Sequence, residues 1–215
     1  MDNKERLRKW LWLGLDETTA KKYQRKLSAE NVRIIRNESV IIAGIGALYT
    51  ICMLVLSHVY VKSLVCIIGA AWMFCIFLYT HSLLKKQDEI SKQETYASIG
   101  SFMICAYAVS IYVGTIGAGN ELAVTIVSLF VFLPTNFDLL PIYNLHITIV
   151  ALAMFFVSSY ITKTPDKFMY DVMDGILAAV IGNFAAFECA KIKWESVKIH
   201  EQLEEERDID MLTGI

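Results

Sequence analysis

The sequence predicts an all-α, polytopic membrane protein: a bundle of six transmembrane helices with a cytoplasmic helix at each end. Three observations support this class. Hydrophobic residues make up 55% of the 215 positions, and the mean hydropathy of +0.46 exceeds that of ordinary soluble domains. The apolar residues gather in six stretches of about 20 residues, the length that crosses a bilayer core. Most basic residues lie between the stretches on one side.

Residues 1–38 precede the first stretch and are predicted to form an amphipathic helix on the cytoplasmic membrane surface. Its apolar stripe recurs at intervals of three and four residues, at Tyr23, Leu27, Asn31 and Ile34 or Ile35. Trp10 and Trp12, beside Arg and Lys residues, suit the headgroup level, where aromatic rings and cationic side chains are both favourable. A helix packed beneath the bundle and a disordered tail are the alternatives.

Six segments are predicted to cross the membrane. They are residues 39–58, 62–84, 97–117, 121–141, 144–162 and 170–190. The fourth and fifth flank a polar Pro-Thr-Asn-Phe-Asp sequence, where Pro134 and Pro141 interrupt helical hydrogen bonding. These two segments therefore form two spans, one kinked hairpin or a re-entrant element.

The distribution of Lys and Arg predicts the orientation. With six spans, seventeen of the twenty basic residues fall on one side: ten before residue 40, three between residues 85 and 95, and four after residue 190. The other side carries Lys62, Lys163 and Lys167. Because Lys and Arg accumulate in cytoplasmic segments, we expect a multi-pass protein of the plasma membrane with both termini in the cytoplasm.

Residues 191–209 contain no Gly or Pro and are predicted to prolong the sixth span into the cytoplasm as a signalling helix. One face carries residues at alternating intervals of three and four: Ile192, Ser196, Ile199, Leu203 and Glu206. Only three of these residues are apolar, so a coiled coil of this segment alone would be marginal. We expect a homodimer, in which a symmetric parallel pair of these helices gains support from the segments on either side.

The last residues, Glu205 to Ile215, resemble the entry to the GGDEF domain of bacterial diguanylate cyclases, where a signalling helix leads into Asp-x-Leu-Thr-Gly-Leu/Ile-x-Asn-Arg. The matching positions are Asp210, Leu212, Thr213, Gly214 and Ile215. In that family two GGDEF domains, each with bound GTP and Mg, meet across a dimer and condense GTP to cyclic di-GMP. The resemblance implies that residues 210–215 begin a GGDEF domain that these 215 residues do not include. It carries over no catalytic, cofactor or metal residue, so we expect a truncated form without catalysis of its own.

Polar side chains within the spans are candidate functional residues, because ionisable groups are costly in a bilayer. The candidates for an intramembrane polar site are Asp138, His146, Asp174, Asn183 and Glu188. Asp174 and Glu188 lie within about 40° of each other around the sixth helix, although each is close enough to an interface to be solvated there. Asn183 is deeper and is predicted to form an interhelical hydrogen bond or to line a cavity. Asp138 and His146 flank the proline break, either in a polar pocket or in a plain cytoplasmic turn.

Small residues recur along the sixth span at spacings that let another helix approach closely. They are Gly175, Ala178, Gly182 and Ala186. This face packs either against another helix of the same bundle or against a second copy of the chain.

The sequence lacks the usual signatures of an enzyme or nucleic-acid site: a phosphate-binding glycine loop, a nucleophile with its base, or a basic stripe with aromatics. All five cysteines lie in apolar runs without a Cys-x-x-Cys pair, which indicates neither disulfides nor zinc. The expected partners are membrane lipid, a second copy and a small lipophilic or membrane-permeant ligand. The alternative functions are a small transporter or channel, and the same sensor joined to an adenylate cyclase or a histidine kinase.

Overall fold

The computed structural model describes residues 17–57, 60–85 and 90–213. These residues form six α-helices and one π-helical turn, and the described ranges contain no β-strand. The helices are α1 Glu17–Cys52, followed by the π-helical turn Met53–Ser57, then α2 Tyr60–Lys85, α3 Lys92–Gly114, α4 Val124–Asn136, α5 Pro141–Thr162 and α6 Pro165–Thr213. The prediction of an all-α fold is confirmed.

Five segments of the described helices are long and apolar enough to cross a membrane. They are Leu27–Val55, Tyr60–Lys85, Gln93–Gly114, Pro141–Thr162 and Pro165–Ser196. The segment predicted as the fourth span differs, because its helix α4 has only 13 residues. At 1.5 Å per residue it is about 20 Å long, which is shorter than the roughly 30 Å bilayer core. The five apolar helices mark the chain as membrane-embedded, whereas the predicted count of six spans is not confirmed.

Two prolines set the limits of the short helix and of the helix that follows. Pro134 lies in the last turn of α4, and Pro141 is the first residue of α5. Leu140, the residue before Pro141, is extended, with φ −61° and ψ 141°. This is the conformation that a following proline ring favours. The chain between the helices, residues 137–140, is therefore non-helical, and we call it the α4–α5 break.

The first helix runs without interruption through the boundary predicted at residues 38 and 39. Leu27, Asn31 and Ile35 of the predicted apolar stripe are buried, so this part of α1 packs against the bundle. For residues 27–38 this burial favours the alternative of a helix packed against the bundle, and the interfacial placement of residues 1–38 stays a prediction. Residues 1–16, with Trp10 and Trp12, lie outside the described residues.

The helix α3 is the centre of the bundle: 56% of its apolar segment is buried, against 11% for α1. The α1–α2 hairpin packs on one side of α3, while α4 lies between α3 and α6, and α5 packs mainly on α6. Phe102, Phe130 and Phe155 are fully buried, and the Phe130 ring lies 5.5 Å from that of Tyr107 and 5.9 Å from that of Phe155. In lipid, such packing contacts stabilise helix association, because apolar burial alone gives little driving force.

The outward faces of the helices are covered by large apolar side chains. Examples are Leu48 on α1, Val157 on α5 and Leu177 on α6, each about three-fifths exposed. Polar side chains such as Asn31, Asn144 and Ser159 are instead buried. Apolar residues outside and polar residues inside are the arrangement expected when hydrocarbon surrounds the bundle.

Candidate functional site

The α4–α5 break is buried, and its backbone is held by a side chain of α1. The Asn31 side chain donates to the Asp138 carbonyl oxygen at 3.2 Å, and its own oxygen accepts from the Asp138 backbone N–H at 2.9 Å. A non-helical backbone group buried in a membrane protein is costly unless it finds such a partner. Asn31 thus supplies hydrogen-bond partners to the backbone N–H and carbonyl of Asp138, which lie outside any helix.

The carboxylate of Asp138 joins the same break to α6. It accepts a hydrogen bond of 2.7 Å from the Lys193 ammonium, and Lys193 also lies 3.7 Å from the Glu30 carboxylate of α1. Asp138 is 4% exposed, whereas Glu30 and Lys193 are about half exposed. We call Glu30, Asn31, Asp138 and Lys193 the coupling cluster. It links α1 to α6, two helices that share no extended packing face.

Burial raises the pKa of the Asp138 carboxyl above its ordinary value, the neighbouring Lys193 ammonium opposes that rise, and Glu30 adds to it. The Asp138 carboxylate is therefore a charge whose burial is compensated mainly by one lysine. Lys193 lies three residues before Ser196, where the apolar segment of α6 ends. Its bond to Asp138 therefore holds this end of the segment against the break.

Replacing Lys193 with glutamine should destabilise the protein more at pH 8 than at pH 4.5. Without the ammonium the pKa of folded Asp138 rises further above its unfolded value, so the folded state binds the proton more tightly. Stability is then retained at low pH and lost as the pH rises through the folded pKa. We expect the melting temperature in detergent to fall by about 2–4 °C at pH 8, equivalent to about 1 kcal/mol. The double variant Lys193→Gln/Asp138→Asn should recover most of this loss, and an equal loss at both pH values would contradict the assignment.

A second hydrogen bond closes the break on the α5 side. The Asn144 side chain, which is 2% exposed, donates to the Pro134 carbonyl oxygen at 3.1 Å. The first turn of α5 is thereby tied to the last turn of α4, and the break acts as one unit.

A separate polar cluster lies at the opposite end of α4. The Lys163 ammonium and the Asp171 carboxylate are 2.6 Å apart, and both side chains are almost fully buried. The other Asp171 oxygen accepts from the Ala123 backbone N–H at 3.1 Å, and Ser159 donates to the carboxylate at 2.6 Å. We call Lys163, Asp171, Ser159 and Ala123 the far-end cluster. The helix α4 therefore runs between the coupling cluster at one end and the far-end cluster at the other.

The structure does not assemble the five predicted intramembrane polar residues into one site. Only Asp138 is buried, in the coupling cluster, while Asp174 and His146 are exposed and Glu188 is partly exposed. Asn183 was predicted to bond to another helix or to line a cavity, but its side chain donates to the Ala179 carbonyl of its own helix at 2.9 Å. A short amide side chain can reach the carbonyl one turn earlier in its own helix, so Asn183 gains a hydrogen bond without contacting another helix.

The small residues of the sixth span face the interior of the same chain. Gly175, Ala178, Gly182 and Ala186 are all buried. A Cβ atom added at Gly182 would overlap the backbone oxygen of Phe130 on α4, and one at Gly175 would lie 3.0 Å from the Phe155 ring. This face is therefore a packing face between α6 and the α4–α5 pair, which leaves no room there for a second copy.

The predicted signalling helix is continuous with the last apolar segment, since α6 extends to Thr213. Ile192, Ser196, Ile199 and Leu203 are exposed. The described side chains do not include Glu206, Asp210, Leu212 or Thr213, although the helix backbone includes all four. Gly214 and Ile215 of the GGDEF-like ending lie outside the described residues.

Sequence reasoning missed Asn31 and Lys193 as site residues, and it counted Lys163 only as a charge in a loop. Asn31 offered a signal, because it is the one amide in the apolar stripe of its helix. Its partner Asp138 is 107 positions away, and no local spacing links the two.

Together, these features define a membrane-embedded helical bundle in which an interruption between two helices is bonded to the first helix by an amide side chain and to the last helix by an ion pair. Comparison with known proteins adds no relative: no family model, curated protein or solved structure matches the chain. Within the described residues no group of three or more His, Cys, Asp or Glu side chains could hold a metal ion.

Proposed function

We propose that the chain is a membrane sensory and dimerisation module that regulates a diguanylate cyclase domain following residue 215. The observation that carries the proposal is the 49-residue helix α6, which runs unbroken from Pro165 in the bundle to Thr213 in the GGDEF-like ending. A continuous helix transmits a displacement at its base over its whole length. The GGDEF assignment itself rests on the resemblance of residues 210–215.

The proposed topology has six membrane passages and both termini in the cytoplasm. The coupling cluster joins segments at the basic, cytoplasmic side, and the far-end cluster lies at the outer side. The helix α4 is short, yet both of its ends are held in the bundle, by Asp171 bonded to Ala123 and by Asn31 bonded to Asp138. Because its ends are bonded to the rest of the bundle, α4 can complete a passage whose remaining length is supplied by the non-helical residues on either side.

The predicted signalling helix, residues 191–209, which we call the rod, supports the dimer. Ile192, Ile199 and Leu203 are 56–64% exposed, lie on one face and have no apolar cover within the described chain. Three apolar contacts per chain give a weak pairing, which suits a helix pair that must change its arrangement in response to a signal. The membrane bundle would hold the two chains together while the rods rearrange.

The coupling cluster provides the route for the signal. A ligand or lipid that shifts α5 moves the α4–α5 break, and the Asp138 carboxylate then displaces Lys193 at the base of the rod. To act as an allosteric element, this contact must have two states that both ends of the protein bias.

Cysteine cross-linking along the rod tests the proposal. In a full-length chain whose five native cysteines are replaced, we expect Ile192→Cys, Ile199→Cys and Leu203→Cys to form disulfide-linked dimers in membranes. Glu201→Cys and Glu205→Cys, on the opposite side of the helix, are the matched controls and should cross-link at least about tenfold less. Equal cross-linking at all five positions would remove the parallel rod pair.

The output domain is tested by the coding DNA that follows the codon for Ile215. We expect Asn-Arg within the next three codons and a Gly-Gly-Asp/Glu-Glu-Phe signature further downstream. A reading frame that encodes neither would exclude the diguanylate cyclase output. A nucleotide-binding adenylate cyclase or kinase domain in its place would support the alternative outputs.

A further inference from the structure

The exposed side of α6 in the membrane carries two neighbouring stripes of side chains. Residues of each stripe recur at intervals of three and four, the spacing of a helix face that packs against another helix. The first stripe, which we call the seam, consists of Tyr170, Asp174, Leu177, Ile181, Phe184 and Glu188. The second, which we call the lipid stripe, consists of Met169, Met173, Ile176 and Val180. Exposure does not distinguish them, since the apolar members of both are 47–64% exposed.

The seam continues the apolar face of the rod. The helix α6 is unbroken from the bundle into the rod, so each residue turns the side chain by about 100°. Measured from the face of Ile192, Ile199 and Leu203, the centre of the seam lies about 40° away, and that of the lipid stripe about 130° away. Two parallel rods that meet through this face therefore bring the seams toward each other.

The acidic side chains that α6 exposes between Lys167 and Lys191 both lie on the seam. Asp174 is exposed and Glu188 is partly exposed, and both fall within the apolar segment Pro165–Ser196. The lipid stripe contains only apolar residues. Carboxylates within transmembrane segments almost always face protein or water rather than hydrocarbon. The direction of the seam and its chemistry thus indicate, independently, a protein surface that covers it.

The seam is open to a second chain. The opposite face of α6, with Gly175, Ala178 and Gly182, is the one that packs within the bundle. In the part of the chain that the structure describes, α6 has extended contacts only with α4 and α5.

We propose that the seam is the membrane interface of a parallel homodimer, in which two copies of α6 pack along Leu177, Ile181 and Phe184. A twofold axis along the helices places each seam against the same residues of the other copy. The apolar side chains interdigitate at the centre, as in other left-handed membrane helix pairs. Asp174 and Glu188 lie at the two ends, within reach of headgroup water, which limits the repulsion between like carboxylates.

The junction between seam and rod is the place where the coupling cluster would act. The interval there is four residues three times in succession, from Phe184 through Glu188 and Ile192 to Ser196. An interval above 3.6 residues locally unwinds a left-handed helix pair. Lys193, bonded to Asp138, lies within this stretch. The inference rests on the proposed function for the rod pair, and it adds the surface through which the membrane parts meet.

Cysteine cross-linking in liposomes tests the seam with controls at the same depth. In the full chain without native cysteines, Leu177→Cys and Ile181→Cys lie on the seam, and Ile176→Cys and Val180→Cys are their neighbours on the lipid stripe. One residue changes the depth by about 1.5 Å but turns the side chain by about 100°. With an oxidant that enters the bilayer, we expect the seam variants to form disulfide-linked dimers at least about tenfold faster than their neighbours.

A charge placed on the seam gives a second test that needs no disulfide. Ile181→Lys sets two ammonium groups against each other across the axis, whereas Val180→Lys puts the same group at the same depth toward lipid, where it can reach the headgroups. Energy transfer between copies that carry donor and acceptor dyes, at a fixed ratio of protein to lipid, measures the dimer. We expect Ile181→Lys to raise the dissociation constant at least about tenfold and Val180→Lys to change it less than about twofold.

Equal cross-linking on both stripes, or faster cross-linking on the lipid stripe, would overturn the seam, and so would a dimer that Ile181→Lys leaves intact. The rod cross-links at Ile199→Cys and Leu203→Cys are measured in the same membranes. Rod cross-links without seam cross-links refute this inference alone, because the membrane parts then do not meet along the seam. Seam cross-links without rod cross-links refute the proposed rod pair and leave the membrane interface in place.

Discussion

Replacing Gly182 with alanine is expected to destabilise the bundle by about 3 kcal/mol or more, a large effect for one methyl group. The added Cβ atom would overlap the Phe130 backbone oxygen and lie 2.9 Å from the Val131 Cα atom. Neither atom belongs to a flexible side chain, so α4 and α6 must separate. That movement weakens the packing of Phe130, which is fully buried between Tyr107 and Phe155. The measurement is the free energy of unfolding from titration with a denaturing detergent.

Gly44 and Gly100 provide the matched controls, because a Cβ atom at either position meets no atom within 4 Å. Alanine at these two positions should be neutral or slightly stabilising, since alanine is the better helix former by about 1 kcal/mol. If Gly182→Ala behaves as the controls do, α4 and α6 do not pack as closely as described. The order of helices in the bundle would then need revision.

Replacing Lys163 with methionine should have an effect of similar size at the far-end cluster. The substitution leaves the buried Asp171 carboxylate without its cation, and breaking one side of a buried ion pair costs about 3–5 kcal/mol. Ser159 and the Ala123 N–H still donate to the carboxylate, which places the expected loss at the lower end of that range. The same detergent titration measures it.

A double-mutant cycle separates the effect of the unpaired Asp171 charge from the effect of changing the side chain packed at position 163. Asp171→Asn in the Lys163→Met background removes the unpaired charge and keeps an oxygen that can accept from Ala123, so we expect it to recover more than half of the loss. Glu121→Gln removes an exposed charge at the same end and should change the free energy of unfolding by less than about 0.5 kcal/mol. Additive single effects of Lys163→Met and Asp171→Asn would contradict a coupled pair.

The fold class could be predicted from the sequence because a high content of apolar residues indicates that lipid, rather than water, surrounds the folded chain. Residues such as Leu48 and Leu177 remain exposed in the fold, which only hydrocarbon surroundings make favourable. The break between α4 and α5 could also be predicted, since Pro134 and Pro141 act locally. The length of α4 could not be predicted, because apolar residues continue past the end of its helix. Residues 137–140 are all non-helical, yet three of the four are apolar and only Asp138 is charged.

The candidate site could be predicted only in part, because its contacts join distant segments. Asp138 was a candidate as a charge in an apolar region, but its partners Asn31 and Lys193 are 107 and 55 positions away. The recurrence of small residues along the sixth span predicted that another helix packs closely at Gly182, but it did not indicate which helix. The Asn183 side chain could bond either to another helix or to a carbonyl of its own helix, and helical periodicity does not distinguish these partners. The structure shows the bond to Ala179 of its own helix.

The central claim is that α6 is one uninterrupted helix from the bundle into the rod. A distance measured by electron paramagnetic resonance tests it most directly, with spin labels at Met173→Cys and Leu203→Cys in a background without native cysteines, diluted with unlabelled chain. Both positions are exposed. Thirty residues of continuous helix predict a narrow distribution centred at about 45 Å. A broad distribution, or one centred below about 35 Å, would mean that the helix bends or ends near Lys191 and would contradict the account.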